Sequence, residues 1–361
     1  MAYGLLRGPS RPIEVTAMSP ASLLSRLAVP VALAASLALA PQAGRAQPLT
    51  EVKFTLDWAL QGNYAMWSLA IDNGYFAREG LKVTMDRGFG SGDTVVKVAA
   101  GAYDIGFADT NALVKFDADN PDKPVVSFMQ IYDNTLSAIV ALKSKHIATP
   151  QDLVGKTLGA PDGEGSRLLF PAFARANKLD TATIKWISVT PQMRETLLMQ
   201  GQLDAVTGFI STAVINLTAA GISRGDIVTM PYAEYGLDLY GNGLIATAAY
   251  EQKNPKVLAG FVRATLAGLR DMLRDPKAAM VSLKKRDPLL NDAVELERLQ
   301  LILDRAMLTP FVKANGFGSV VPERMARAIT VNAEAFGVAN PPKPETIYTT
   351  KFLPPQSERM P

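Results

Sequence analysis

The sequence has no cysteine and a single histidine, His146. The first absence removes disulfides, thiolate chemistry, cysteine-based zinc sites and a lipid-anchored cysteine after a leader. The second leaves a serine triad without its base, and His146 sits beside Lys145 in an expected loop. No catalytic residue, metal or cofactor is therefore expected. Long apolar runs are missing as well: the longest, residues 27–40, is about fourteen residues against the roughly 20 that span a bilayer. Charge of one sign is scarce. The net charge of +3 resides in residues 1–46, where Arg7, Arg11, Arg26 and Arg45 face Glu14 alone, and the remainder is neutral. A neutral chain offers no basic footprint for nucleic acid and no lysine run for an anionic membrane surface.

What is present is an ordinary globular composition, 361 residues with 48% hydrophobic and 20% charged, enough for one large or two medium domains. The first 46 residues have the plan of a secretory leader. Arg26 precedes the apolar run, and Gly44-Arg45-Ala46 puts small residues where a signal peptidase cuts. Cleavage after Ala46 is expected, with a retained membrane anchor as the competing reading. Residues 1–17, ahead of Met18, resemble no leader and read as an over-extended start of translation.

Beyond the leader, strand and helix periods alternate. VKFTLDW (52–58) reads as a strand, AMWSLAIDNGYF as a helix ending near Asn73-Gly74, LKVTMDRGF as a strand, DTVVKVAAGA as a helix and YDIGFAD as a strand. The plan then recurs. Thr149-Pro150 starts a helix, KTLGAP is a strand, SRLLFPAFARAN a helix made irregular by Pro171, IKWISV a strand, PQMRETLLMQG a helix and LDAVTGF a strand. From Asn254 helices take over, at 255–274, 292–308 and 322–336, and a proline-rich tail is expected to lie extended over the surface. An α/β chain follows, with an open sheet in each half.

Two stretches mark the recurrence. In AAGAYDIGFAD (99–109) and MQGQLDAVTGF (199–209), Gly101 matches Gly201 and Asp104 matches Asp204. In each, a helix ends on the glycine and the aspartate introduces a strand. Two lobes on one topological plan are implied; the competing explanation is chance recurrence of a common helix–Gly–strand idiom.

In open α/β sheets ligands gather beyond the carboxyl ends of strands, at helix N-termini. Three segments fit. In LDWALQGNYAMW, Trp58 could stack on a planar ligand while Asp57 accepts hydrogen bonds from its amines, with Asn63 and Tyr64 at the next helix start. The alternatives are a core aromatic for Trp58 and a helix cap for Asn63. The glycine-rich turns GSGDT, with Ser91, Gly92 and Thr94, and DGEGS, with Gly163, Glu164 and Ser166, could hold a polar group by backbone amides. Neither carries the lysine of a nucleotide-binding P-loop. Asp109, Asn111 and Phe209 stand at the remaining strand ends, where capping and packing are the competing roles.

The ordered segments FTLDW, IDNGYFAREGLKV, VVKVAAGAYDIGFAD, IATPQDLVGKTLGAPDGEGS and NPKVLAGFVRATLAG resemble the substrate-binding proteins of ABC importers, in particular those for alkanesulfonates, taurine and pyrimidine precursors of thiamine. The resemblance implies a type II periplasmic binding-protein fold, two Rossmann-like lobes with a cleft between them. It places the first lobe at 47–143, the second at 144–241 and a C-terminal return to the first at 242–361, with crossings near 141–145 and 241–247. It implies a periplasmic monomer that closes on a small molecule and delivers it to ABC permease subunits. Pyrimidine-precursor members commonly carry Pro-Asn and a His after the Asp-Trp, where this chain has Leu60-Gln61 and Tyr64. Asp57, Asp93, Asp109, Asp162 and Glu164 suggest an acidic cleft, which favours a neutral or amine-bearing planar nitrogen heterocycle; the alternatives are an alkanesulfonate, taurine or an aromatic carboxylate. A remoter alternative is the pyrimidine-synthesising enzyme of the same fold, which would need an active-site His and a Cys-rich iron motif. A signalling module would need a membrane segment and an output domain besides.

Overall fold

Among the residues that the computed structural model describes, 9–12, 14 and 48–361, ten strands form two five-stranded sheets. The leader and its cleavage position fall outside the described residues, and the fold lies within Leu49–Pro361. The strands are β1 (Thr50–Thr55), β2 (Leu81–Asp86), β3 (Ile105–Asp109), β4 (Val125–Gln130), β5 (Ser137–Leu142), β6 (Thr157–Ala160), β7 (Lys185–Ser188), β8 (Ala205–Phe209), β9 (Ile227–Pro231) and β10 (Asn242–Thr247). Their orders are β2-β1-β3-β10-β4 and β7-β6-β8-β5-β9. In the first sheet β1 runs parallel to β2 and β3 while β10 runs antiparallel to β3 and β4. In the second β6 runs parallel to β7 and β8 while β5 runs antiparallel to β8 and β9. IGFAD and VVSFMQ show no polar alternation because every residue of β3 and β4 is buried.

The repeated glycine and aspartate do the same task in both sheets. Gly101 and Gly201 turn the chain out of a helix at φ +74° and +76°, a conformation glycine adopts without a Cβ clash. Asp104 then donates its N–H to Lys53 O and accepts Lys53 N–H on its carboxylate, at 2.9 and 2.8 Å. Asp204 does the same with Thr157 at 2.8 and 2.9 Å. The aspartate clips the arriving strand to its parallel neighbour.

The antiparallel strand β10 of the first sheet comes from beyond the second lobe, whereas all five strands of the second sheet lie in one run, residues 137–231. β5, expected inside the first lobe, is a central strand of the second sheet, and β10, which follows the second lobe, completes the first. The chain therefore passes between sheets at residues 131–136 and 236–241, and neither crossing is where the sequence places it: 141–142 ends β5 of the second sheet and 242–247 is β10 of the first. The two crossings run side by side: Tyr132 N–H donates to Asn242 O, Gly241 N–H to Tyr132 O and Thr135 N–H to Leu239 O, at 2.9 to 3.0 Å.

Helices cover the sheets: α1 (Ala65–Asp72), α2 (Ser91–Ala99), α3 (Thr110–Asp119), α4 (Gly165–Ala176), α5 (Arg194–Met199), α6 (Ile210–Ala219), α7 (Pro255–Arg274), α8 (Asp292–Ile302) and α9 (Pro322–Phe336). α7 returns to the first lobe, where a Cβ on Gly268 would fall 2.0 Å from Met66 O and Trp67 Nε1 donates to Thr265 Oγ1 at 3.1 Å. Phe54, Trp67, Phe107 and Phe261 stack edge to face in the core between them. α4 runs on through Pro171. Two expectations change. Thr149-Pro150 opens only a single 3-10 turn, Pro150–Leu153, closed by reciprocal Thr149 and Asp152 caps. The tail is not merely extended over the surface: Ile347 and Phe352 are buried, Tyr348 pairs with Ser127 on β4, and burial of those apolar groups outweighs the surface preference of the prolines. Among the described residues no helix is long and apolar enough to cross a membrane.

Candidate functional site

The two glycine-rich turns face each other across the cleft and touch. Gly92 N–H donates to Gly163 O at 2.9 Å. Gly90, at φ +135°, comes so close that a Cβ there would stand 2.4 Å from Gly163 O. Closure is thus a backbone contact that side chains would prevent. Thr212 Oγ1 on the second lobe donates to Gln61 Oε1 on the first at 3.2 Å, so the lobes are latched at a second point.

Behind that contact lies a narrow cavity lined from both lobes. Its polar floor is built from the end of β1 and the crossings. Asp57 Oδ1 accepts from Tyr64 Oη at 2.8 Å and Oδ2 from Asn242 Nδ2 at 2.9 Å, while Asn63 Nδ2 donates to Tyr132 Oη at 2.7 Å. Asn63 Oδ1 is buried with no hydrogen-bond partner. Trp58 and Phe209, both half-buried, give the cavity aromatic walls. Burial pushes Asp57 up to about 6 against its hydrogen bonds from Tyr64 and Asn242, which pull the other way. Tyr64 is raised well above its ordinary value by burial and by the adjoining Asp57 charge.

Of the residues singled out from the sequence, Asp57, Trp58, Asn63, Tyr64, Ser91, Glu164 and Phe209 line this cavity. Gly92, Thr94, Asp109, Asn111, Gly163 and Ser166 do not. Gly92 and Gly163 form the lobe contact; Thr94 Oγ1 donates to Leu56 O at 2.9 Å. Asp109 caps α3 through Asn111 N–H at 2.7 Å, and Asn111 Nδ2 is engaged by Asp109 and Tyr240 O. Ser166 is buried under Glu164, whose carboxylate caps α4 at Ser166 and Arg167 N–H, 2.9 and 2.8 Å. Strand-end reasoning found the right neighbourhood but could not separate a cap from a lining group.

It missed Gln61, Tyr132, Arg194, Ser211, Thr212 and Ile302, while Gly90 and Gly165 belong to the two turns it had marked. Arg194 matters most, because it corrects the acidic cleft expected from Asp57, Asp93, Asp109, Asp162 and Glu164. Asp93 and Asp162 are ion-paired away to Lys97 at 2.6 Å and Arg167 at 2.8 Å. Inside, Arg194 is 1% exposed. Its Nε and Nη2 donate to Glu195 Oε1 at 3.0 and 2.6 Å, Nη1 to Thr207 O at 3.1 Å, and its guanidinium lies 5.2 Å from the centroid of the Trp58 ring. The visible signal was an Arg-Glu pair in the first turn after a strand. Tyr132 had none, since it comes from a crossing whose position the sequence misplaced.

A family model described as NMT1/THI5 like matches residues 61–279, more than half of the chain. The chain belongs to the NMT1/THI5-like family. Its relatives include the formylaminopyrimidine-binding protein of Halalkalibacterium halodurans, 29% identical over 72% of this chain and 78% of that one. The riboflavin-binding protein RibY of Chloroflexus aurantiacus is 28% identical over 69% of this chain and 70% of its own. More distant members that match are 4-amino-5-hydroxymethyl-2-methylpyrimidine phosphate synthases. Among solved structures, the alkanesulfonate-binding protein SsuA of Xanthomonas axonopodis pv. citri, bound to MOPS, aligns with a TM-score of 0.65 at 14% identity, covering 84% of this chain and 100% of that one. That likeness shows the periplasmic binding-protein fold expected from the sequence.

Proposed function

We propose that this NMT1/THI5-like chain is the extracytoplasmic solute-binding component of an ABC importer. It takes a small planar nitrogen heterocycle bearing an amine and delivers it to membrane permease subunits, acting as a periplasmic monomer after loss of its leader. Asn63 Oδ1 carries this reading: a buried acceptor without a partner costs about 1–3 kcal/mol, and an N–H on a ligand ring relieves it. Asp57 lies beside it as a second acceptor, Trp58 and Phe209 offer ring faces, and Arg194 has its charge balanced by Glu195. Two relatives whose names specify pyrimidine and flavin ligands support the same ligand class. Contacts from both lobes favour the closed state, so the ligand drives closure by binding it better than the open one.

A second reading, an alkanesulfonate, taurine or aromatic carboxylate, is favoured by Arg194 together with Ser211 and Thr212 at the N-terminus of α6. Against it, the guanidinium is already bound to a carboxylate, and a second anion there would be desolvated beside Glu195 and Glu164. The synthase reading is opposed by a cavity lining without His or Cys among the described residues.

The test is a thermal-melt panel of pyrimidines, flavin and other planar heterocycles against taurine, alkanesulfonates and aromatic carboxylates. A ligand at about 100 times its Kd adds roughly 2.7 kcal/mol and raises Tm visibly. A shift with amine-bearing rings supports the proposal; shifts with sulfonates or carboxylates alone overturn it in favour of the second reading.

A further inference from the structure

The cavity has a neighbour. A second, open hollow adjoins it, and Trp58 and Gln61 line both. The second hollow lies between the lobes, walled by Arg87 from the first, Gln192 and Asn216 from the second, Asp287 from the turn before α8, and Glu295 and Arg298 from α8.

Its charges cancel. Arg298 and Glu295 are buried and joined at 3.0 Å, and Glu295 Oε2 also accepts Gly62 N–H at 2.7 Å. Arg87 and Asp287 have no ion-pair partner among the described residues and oppose each other in sign. A net anion placed here would face Asp287, and a net cation would face Arg87. The uncommitted hydrogen-bonding groups are of both kinds. Gln61 is buried and accepts from Thr212 through Oε1, while its Nε2 meets no protein acceptor among the described residues. Gln192 brings a donor and an acceptor; Arg87, stacked on Phe89 with Nε donating to Gly88 O, keeps its other N–H donors, and Asp287, whose Oδ1 accepts Leu289 N–H, keeps Oδ2. A hydroxyl, which donates and accepts, suits such a wall better than an ion.

We propose, on the basis of the heterocycle reading, that the ligand carries a neutral hydroxylated tail, a pentose or a polyol, on the ring edge facing Trp58 and Gln61, and that this tail lies in the second hollow. The ring is held by the inner cavity and the tail by Gln61, Gln192, Arg87 and Asp287.

The test is calorimetric titration of the full chain with two pairs of probes, cytosine against cytidine and lumichrome against riboflavin, with cytidine 5′-monophosphate as a charged-tail probe. In whichever ring binds, the tailed probe should bind roughly tenfold tighter than the bare ring, and the phosphate should add nothing. The double variant Arg87→Ala/Gln192→Ala, at two exposed positions, should remove most of that advantage, and its ligand-free melting curve checks the fold. Equal affinity of bare and tailed probes overturns this inference and leaves the heterocycle reading standing. So does an advantage that survives the double variant, and tighter binding of the phosphate overturns the neutrality of the subsite. Binding by none of the rings overturns both.

Discussion

Asp109 and Phe209 occupy the same place at the ends of β3 and β8, two strands clipped to their neighbours by the same glycine and aspartate. There the likeness stops. The first lobe ends its strands on acceptors, with Asp57 in the cavity and Asp109 behind it. The second ends on an aromatic ring, a balanced Arg194–Glu195 pair and the hydroxyls of Ser211 and Thr212. The scaffold is kept where the sheet must hold together and diverges only at the rim. On the proposed function recognition divides accordingly, the first lobe reading the ligand's hydrogen-bond donors and the second supplying a lid.

That division can be broken most directly at the cavity. Trp58→Ala and Asp57→Ala should each weaken binding of the ligand found by the melt panel by at least roughly a hundredfold, about 3 kcal/mol, with the fold retained by circular dichroism. Phe209→Ala on the lid should cost only about tenfold. Equal losses on both sides would abolish the division, and normal affinity in both first-lobe variants would remove those residues from the site. Next in size is a change of sign rather than of strength. Glu195→Gln leaves Arg194 with a neutral partner, so affinity for an alkanesulfonate such as MOPS should rise about tenfold relative to wild type. No gain would mean that the charge balance of the second lobe does not select against anions.

A smaller effect separates the two clips. Asp204 also pairs with Lys145 at 3.1 Å, and its carboxyl is held below the usual range, against its partial burial, by Thr157 N–H and Lys145. Asp204→Ala should therefore cost about 1–2 kcal/mol in urea unfolding and Asp104→Ala less. The reverse order would show that the shared backbone clip, not the added pair, sets the cost.

The smallest expected effect concerns pH. Burial raises Asp57 and Asp109 to about 6 and Asp117 to about 7, all in the first lobe. A carboxyl raised on folding takes up a proton as the chain folds in the interval between its unfolded value, 3.8, and its folded one. Its contribution to stability is therefore greatest below that interval and falls as pH rises through it. In the second lobe Asp152 and Asp204 are lowered, so their contribution is present above the unfolded value, 3.8, and is lost as pH falls from there through their folded values. Tm should rise between about pH 8 and about pH 5.5 and fall in stronger acid. Asp117→Asn keeps the acceptor for Val125 N–H and removes a buried charge, so it should stabilise at neutral pH by about 1 kcal/mol and reduce the rise. An unchanged pH profile would count against a buried, unpaired Asp117.

Much of this was legible in the sequence. Alternation and glycine punctuation placed β1, β2, β3, β6, β7 and β8 to within a few residues, because their signals are local. The segments expected as crossings, 141–145 and 241–247, instead overlap β5 and β10, because which sheet a strand joins depends on partners far along the chain. At the site, residues next to strand ends, such as Asp57, Trp58 and Glu164, were found for a physical reason. Tyr132 and Ile302 reach the cavity from elements whose position is set by tertiary packing. Thr94 and Asn111 show the converse, since a polar residue at a helix start serves the backbone as readily as a ligand.

The placing of β10 in the first sheet bears on the order in which the protein can be made. The second sheet is one continuous run of chain but the first is not, so during synthesis the first sheet waits, split between β3 and β4, until the whole second lobe and then Asn242–Thr247 have been added. A chain stopped at Gly241 has every strand of the second sheet and an unfilled gap in the first. The half that is synthesised first is the half that finishes last, and its two exposed strand edges are open meanwhile to any other partner.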